Sequence, residues 1–473
     1  MGQEIDQLQF TEVDFDRFRS RLEEETRLLG SLISGGAMDN EGHSVGFEVE
    51  AWLVDHNLFP APINEIYLAR MADPLVVPEL SRFNVELNGT PQPLGPGALA
   101  RLEEELAGTW HRCMKVAHDL DASLVMTGIL PTVRESELTL ANMSAMKRYV
   151  ALNEQVLKRR SGRPLHISIE GQDRLDIAHG DVMLEAATTS LQIHLQVPAE
   201  QASRYYNASL ILSAPMVAVG SNSPLLFGRR LWDETRIPLF EQAVEPEALD
   251  GTRYGRVSFG AGYADRSLIG LFHENVEQHA VLLPILFDCE ADRFAHLRLH
   301  NGTIWRWNRP LVGMSGNGRT HLRIEHRVLP SGPSIIDMLA NIALFVGLAT
   351  EMAGRASPPE GHLSFEAARA NFYAAARSGL NAQLAWLDGK SVEAGELLSR
   401  ELLPLAGRGL EQAGLEDSEI ERYLGVIEAR LRLRQNGAVW YRRRFEACDG
   451  DVFRLAAAYL EYQRGEAPVH EWD

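Results

Sequence analysis

The chain has 473 residues, and its 46 Lys and Arg against 65 Asp and Glu leave a net charge of −19, which argues against a nucleic-acid partner. Hydrophobic residues make up 45% and charged residues 23%, globular proportions that exclude a disordered chain. At roughly 150 residues per domain the length allows about three domains.

No uninterrupted apolar run approaches the ~20 residues that cross a bilayer, and the first residues are acidic rather than basic. The expectation is a soluble, cytoplasmic protein with no membrane partner. Cys113, Cys289 and Cys448 are odd in number, widely spaced and free of any C-x-x-C pair, as expected in a reducing compartment without disulfides or a structural zinc site.

The first predicted element is an amphipathic helix over 14–34, where Phe15, Phe18, Leu22, Leu28, Leu29 and Leu32 recur at helical spacing before Gly35-Gly36. From Ser44 to Leu329 short alternating runs are separated by helical stretches at 97–120, 142–160 and 199–218, the mark of a mixed α/β block. In the first stretch Leu99, Leu102, Leu106, Trp110, Cys113 and Ala117 fall three and four apart and predict one buried face. From Ser334 onward the period is almost wholly helical, with turns at Ser357-Pro358-Pro359, Gly379, Gly389, Gly407 and Gly437. The arginine-rich run at 430–445 reads as a solvated face among acidic neighbours. Glycine-rich stretches at 220–228, 251–262 and 313–318 are candidates for mobile covers.

Four predicted strands carry the chemistry. In 46–53, period-two alternation sends Phe47, Val49, Ala51 and Leu53 one way and Glu48 and Glu50 the other. In 83–88, Asn84, Glu86 and Asn88 oppose Phe83, Val85 and Leu87; in 191–197, Gln192, His194 and Gln196 share a face; in 321–328, His321, Arg323, Glu325 and Arg327 do. Each strand alone reads as half-exposed and antiparallel. Together they hold acids, amides, imidazole and arginine on one side with no Lys, and neighbouring Glu side chains repel unless a cation lies between them. The joint pattern points to a metal-binding sheet face suited to Mg²⁺ or Mn²⁺. Arg323 and Arg327 beside Glu325 add a site for a strongly anionic ligand, and a nucleoside triphosphate fits.

G-F-E-V-E (46–50), E-L-N (86–88), T-G-I-L-P (127–131), M-K-R-Y (146–149), Q-I-H-L-Q (192–196), G-S-N-S-P (220–224) and R-I-E-H-R (323–327) occur in the order seen in bacterial type 2 glutamate–cysteine ligase-like proteins, the carboxylate–amine ligases. The chain resembles that family over roughly residues 44–330. The resemblance implies an α+β fold of the glutamine synthetase/guanido kinase type: a curved, mainly antiparallel sheet, metals on its concave face, helices on its convex face, plus a helical C-terminal region. It implies ATP and two or more Mg²⁺ or Mn²⁺ ions, with Glu50 and Glu86 at the ion nearer the substrates and Glu48, His194 and Glu325 at the ion nearer the terminal phosphates. Arg327 resembles the arginine that contacts the transferring phosphoryl group, assisted by Arg323. Asn88, Gln192 and Asn222 are candidates for amino-acid or nucleotide contacts, and Arg298, Thr303 and Arg306 for a substrate role, whereas Trp305, Trp307 and His326 read as packing residues.

The expected reaction is amide formation through a γ-glutamyl phosphate, by a catalytic region at 1–355 with a helical extension at 356–473. Phosphotransfer to a guanidino or amine group on the same scaffold, and a catalytically idle metal- or nucleotide-binding protein, are the alternatives. The expected partners are small molecules; the helical tail leaves self-association open, and neither the amine acceptor nor a general base can be read.

Overall fold

A computed structural model describes residues 4–246 and 255–473. Helix α1 (Glu12–Ser34) begins two residues before the expected start because Thr11 and Asp14 cap each other reciprocally. The chain then lays down β1 (Ser44–Val54), α2 (Asn64–Met71), β2 (Val76–Pro78), β3 (Asn84–Asn88), β4 (Gln92–Pro93), α3 (Ala98–His118) and β5 (Ser123–Val125). Helix α4 (Lys147–Arg159) starts later than the predicted 142, since Met143 is held extended in a bridge to Ser81. A separate hairpin, β6 (Leu165–Glu170) and β7 (Arg174–His179), precedes β8 (Ser190–Val197) and α5 (Ala202–Gly220).

Short ladders β9 (Leu225–Leu226) with β10 (Arg229–Arg230), and β11 (Val257–Ser258) with β12 (Trp305–Arg306), bracket α6 (Arg236–Ala243), α7 (Ile269–Gln278) and α8 (Ala295–Gly302). The sheet closes with β13 (Asn308–Met314) and β14 (Thr320–Pro330), followed by α9 (Ile335–Gly354). The remaining chain is helical apart from the hairpin β15 (Gln383–Ala385) and β16 (Ser391–Glu393): α10 (Phe365–Ser378), α11 (Ala394–Leu397), α12 (Leu403–Gln412), α13 (Asp417–Leu433), α14 (Gly437–Ala447) and α15 (Val452–Arg464).

The main sheet runs β13-β14-β8-β1-β3-β2, antiparallel throughout, with β4 and β5 also on β1, and it curls into a half-barrel. Its apolar side chains, among them Val49, Val85, Leu191, Ile193, Leu195, Leu322 and Ile324, are buried on one side, where α5 and α9 pack. The polar set faces the other way, as alternation predicts. Among the described residues α9 alone is long and apolar enough to cross a membrane, yet it is mostly buried at the centre of the protein. Its Gly347 lies so close to α12 that a side chain there would strike the Ala406 backbone, and one on Gly409 of α12 would strike Gly347.

One expectation holds only in part and another fails. The arginines of 430–445 form a solvated face only in part: Arg432, Arg434 and Arg443 are exposed, but Arg430 is 1% exposed and donates to Asp337 at 2.8 Å and Asn341 at 2.8 Å, and the half-buried Arg442 donates to Asp233. Helix period showed where Arg430 and Arg442 lie on their own helices, but their acids come from α9 and from residue 233, far away in sequence. Nor is 220–228 a mobile cover, because Gly220 to Leu226 are buried. The stretch 313–318 is the strand end and turn of the β13–β14 hairpin, and residues 251–254 of the third stretch lie outside those described.

Arg430→Ala leaves the fully buried Asp337 carboxylate without its charge partner, so it is expected to lower unfolding free energy by about 3–5 kcal/mol. Urea denaturation followed by circular dichroism measures this, and an unchanged midpoint refutes it.

Candidate active site

The register of the sheet brings the polar side chains into lateral contact. Glu48 on β1 lies opposite Asn88 on β3 and Gln192 on β8, Glu50 opposite Glu86, and His194 opposite Glu325. Two clusters result, each with ligand atoms within 4.8 Å of one another: Glu48, His194 and Glu325; and Glu50, Glu79 and Glu86.

The first cluster is hemmed by arginine. Arg309 on β13 grips both oxygens of Glu325 at 2.8 Å each, and Arg327 adds 3.0 Å to one of them. Burial works to raise Glu325, but Arg309 and then Arg327 overcome it and hold its carboxyl far below the usual range. Glu48 likewise falls to about 2: burial opposes, and the His194 ring, whose Nε2 is 3.2 Å away, wins. Arg323 Nε donates to His194 Nδ1 at 3.2 Å. Glu48 Oε2 has no hydrogen bond, and His194 Nε2 faces the carboxylates without hydrogen-bond alignment.

In the second cluster burial and like charge prevail. Glu50 accepts from Ser190 N–H at 2.7 Å and Gln192 Nε2 at 3.0 Å. Burial and the adjacent Glu86 push it up to about 7. Burial and the Glu86 and Glu50 charges push Glu79 well above normal, and its Oε1 has no partner. Glu86 is raised by burial and by Glu48, while Asn88 Nδ2 donates to it at 3.0 Å. Three carboxyls packed together out of water must share protons or a cation. An all-oxygen trio suits a hard divalent ion, and a trio with one imidazole suits Mg²⁺ or, better, Mn²⁺, so both donor sets fit the ions expected from sequence.

Between the clusters runs a relay: Arg327 Nη1 donates to Gln192 Oε1 at 2.7 Å, and Gln192 donates to Glu50. Arg298 is exposed and stands at the rim, near enough that its charge adds slightly to the burial that lowers Arg323 and His321. Three candidates are elsewhere. Asn222 donates to Ser331 O and Tyr459 Oη, tying the end of α5 to α15. Thr303 Oγ1 donates to His300 O and accepts from Arg256; Arg306 bonds Glu274 and Asn275 of α7. These bonds brace the fold, and none reaches the two clusters. Trp307 is buried and donates to Glu241, and His326 stacks on Phe345 at 4.1 Å with Nδ1 against Asn308.

Sequence reading missed four groups. Glu79 follows β2 in a loop, outside any alternation. Arg309 falls opposite Glu325 once the turn at 315–318 fixes the hairpin register, a signal that was present. Glu185 has a carboxyl that burial and the Glu50 charge raise to about 8, against the pull of Arg327. Arg236, wholly buried with Glu234, belongs to no strand.

The family model of glutamate–cysteine ligase family 2 matches residues 44–458. The chain belongs to this family. Membership makes it an ATP-dependent carbon–nitrogen ligase of the glutamate–cysteine ligase kind. The matched span takes in most of the helical tail as well as the sheet. Among curated proteins none matches the sequence. Among solved structures, a Francisella tularensis glutamate–cysteine ligase in complex with AMP is similar at 11% identity, with 89% of this chain and 90% of that one covered and a TM-score of 0.58. A bifunctional glutathione synthetase from Pasteurella multocida is similar at 13% identity over 94% of this chain and 55% of that one, with a TM-score of 0.55. At such identities the likeness is one of fold, and it agrees with the curled antiparallel sheet expected from sequence.

The raised carboxyls set a pH dependence. Glu50 and Glu185 have folded-state values near 7 and 8, above the ~4.3 of an unfolded Glu. Their contribution to stability is therefore full at acid pH and lost as pH rises through 7 and 8. The metal-free ligase is expected to melt lower at pH 8.5 than at pH 5.5. Mn²⁺ at a hundredfold excess over its Kd should restore about 2.7 kcal/mol at the higher pH, read by calorimetry; a flat pH profile without metal refutes the electrostatics.

Proposed function

We propose that this ligase activates a glutamate γ-carboxylate as an acyl phosphate and passes it to an amine, using two divalent cations held on the polar sheet face. What carries the reading is the pairing of two ligand clusters on adjacent strands with Arg327 hydrogen-bonded between them. Glu50, Glu79 and Glu86 would hold one ion, and Glu48, His194 and Glu325 the other. Bound there, the ions supply charge neutralisation for the phosphates and the reacting carboxylate. AMP in the Francisella ligase supports adenine nucleotide use here.

A carboxylate is a poor electrophile for an amine. Its oxygen attacks the γ-phosphorus of ATP, the bond to the β-phosphate oxygen breaks, and ADP leaves. The amine nitrogen then attacks the acyl carbon, the C–O bond to phosphate breaks, and the amine gives up a proton. Arg327 presents its guanidinium where equatorial phosphoryl charge develops, and the Gln192 and Glu325 contacts fix its direction. Arg323 adds a second positive group beside His194. Asn88 and Gln192 orient carboxylates within the site, and Arg298 draws anions to its rim. Residues 1–355 contain every group in this scheme, and 356–473 brace them from behind. Free thiols at Cys113, Cys289 and Cys448 suit the cytoplasm.

Glu50→Gln is expected to lower ligation at least about 100-fold with the fold retained, and wild-type turnover would contradict its place at the ion. Arg327→Ala should lower kcat about a thousandfold while moving KM for ATP less than about threefold. The substrate class is tested with ATP, Mg²⁺, glutamate and a panel of amines, following phosphate release and the conjugate by mass. ADP with a phosphorylated acceptor and no amide would favour phosphotransfer instead.

A further inference from the structure

Arg327 occupies an irregular place in its strand. The β14–β8 pairing runs without interruption from Leu322↔Val197 to His326↔Ile193 and resumes at Leu329↔Leu191, so Arg327 and Val328 together oppose Gln192. This is a β-bulge. It solves a parity problem: Arg323, Glu325 and Arg327 share the polar face, and a regular strand would put Leu329 there too. The extra residue turns Leu329 inward, where it is fully buried. The cost is that carbonyls at the bulge lose their places in the ladder.

Arg236 meets that cost. Its Nη2 donates to both bulge carbonyls, Arg327 O at 3.2 Å and Val328 O at 2.6 Å. The guanidinium is itself held: Nε donates to Glu234 at 3.2 Å, its ring-like plane lies 5.2 Å from Trp307, and it is 2% exposed. Glu234 is anchored in turn by the Asn222 N–H at 2.9 Å. One turn along α6, Phe240 lies 6.0 Å from the Arg327 guanidinium. The same short helix thus holds both ends of Arg327, backbone through Arg236 and side chain against Phe240.

We propose that Arg236 is the positioning residue for Arg327: by bonding both carbonyls of the bulge it fixes the direction in which Arg327 leaves the strand. The inference rests on the assignment of Arg327 to phosphoryl transfer. Arg236 touches no reactant. Lysine cannot replace it, because one ammonium at the end of a flexible stem cannot match the planar fork that serves Glu234 and the carbonyls together.

The test uses the full-length enzyme with Arg236→Lys and Arg236→Met, each alone and combined with Arg327→Ala. A misdirection of about 1 Å is worth about 100-fold in rate, so kcat per folded molecule should fall about that much, with KM for ATP within about threefold. In the Arg327→Ala background neither change should lower kcat further. Independent, multiplying losses would show that Arg236 acts on something other than Arg327 and would overturn the proposal, as would full kcat in a folded Arg236→Lys enzyme. Crystal structures of wild type and Arg236→Lys give a readout that needs no activity: the variant should show Arg327 withdrawn from Gln192, and an unmoved Arg327 would overturn the inference. A wild-type protein that forms no amide would sink the proposed reaction, while the crystallographic comparison would still decide the role of Arg236.

Discussion

Buried like charge is the constraint around which this protein is arranged. Glu48, Glu50, Glu79, Glu86 and Glu325 converge on one sheet face where water is scarce, and carboxylates so placed repel each other strongly. The fold answers differently on the two sides. Toward β13 and β14 the acids are matched by Arg309, Arg323 and Arg327 and stay ionised. Toward β2 and β3 burial and mutual repulsion outweigh the positive charges nearby, and the carboxyls are driven toward protonation. The face is therefore polarised across its width, with a guanidinium-rich flank suited to an anion and a carboxyl-rich flank that takes up protons or a cation. The proposed phosphorylation of a carboxylate by ATP would use two such environments side by side.

Such a face needs a stiff support, because sub-ångström errors in ligand placement weaken every interaction in it. The support is the pair α5 and α9, packed on the apolar side of β8 and β14. Helix α9 is fixed by the C-terminal region: Arg430 joins Asp337, Asn341 and the carbonyl of Val219, bonding α13 to both supporting helices at once. The tail is thus part of what holds the sheet, in keeping with a family span that runs through it. Arg430, which looks like surface charge in the sequence, is a tie-bar between helices.

What could be read from the sequence follows from which physical signals are local. Period-two alternation placed Glu48, Glu50, Glu86, His194, Glu325 and Arg327 on common faces, since parity needs only near neighbours. The order of motifs named the family. Glu79 could not be found in this way because it leaves β2 in a loop, and its membership in a cluster depends on how β3 folds back. Asn222, Thr303 and Arg306 sit in motifs of the family, yet their hydrogen bonds serve the scaffold, and only partner identity distinguishes the two roles. Arg309 is intermediate: the hairpin turn contained its register, provided the turn was used to count back.

Parity also explains how a fold can remain recognisable at 11–13% identity. A half-barrel with one polar and one apolar face asks chiefly that side chains alternate. Most positions can then change freely within their class. A departure is more restrictive, because a bulge must be compensated by a group from elsewhere in the chain. Here the bulge lies where the polar face ends, Arg327 occupies it, and Arg236 satisfies its carbonyls. The site thus depends on a backbone irregularity and its hydrogen-bond partner, neither of which registers in a tally of acidic and basic residues.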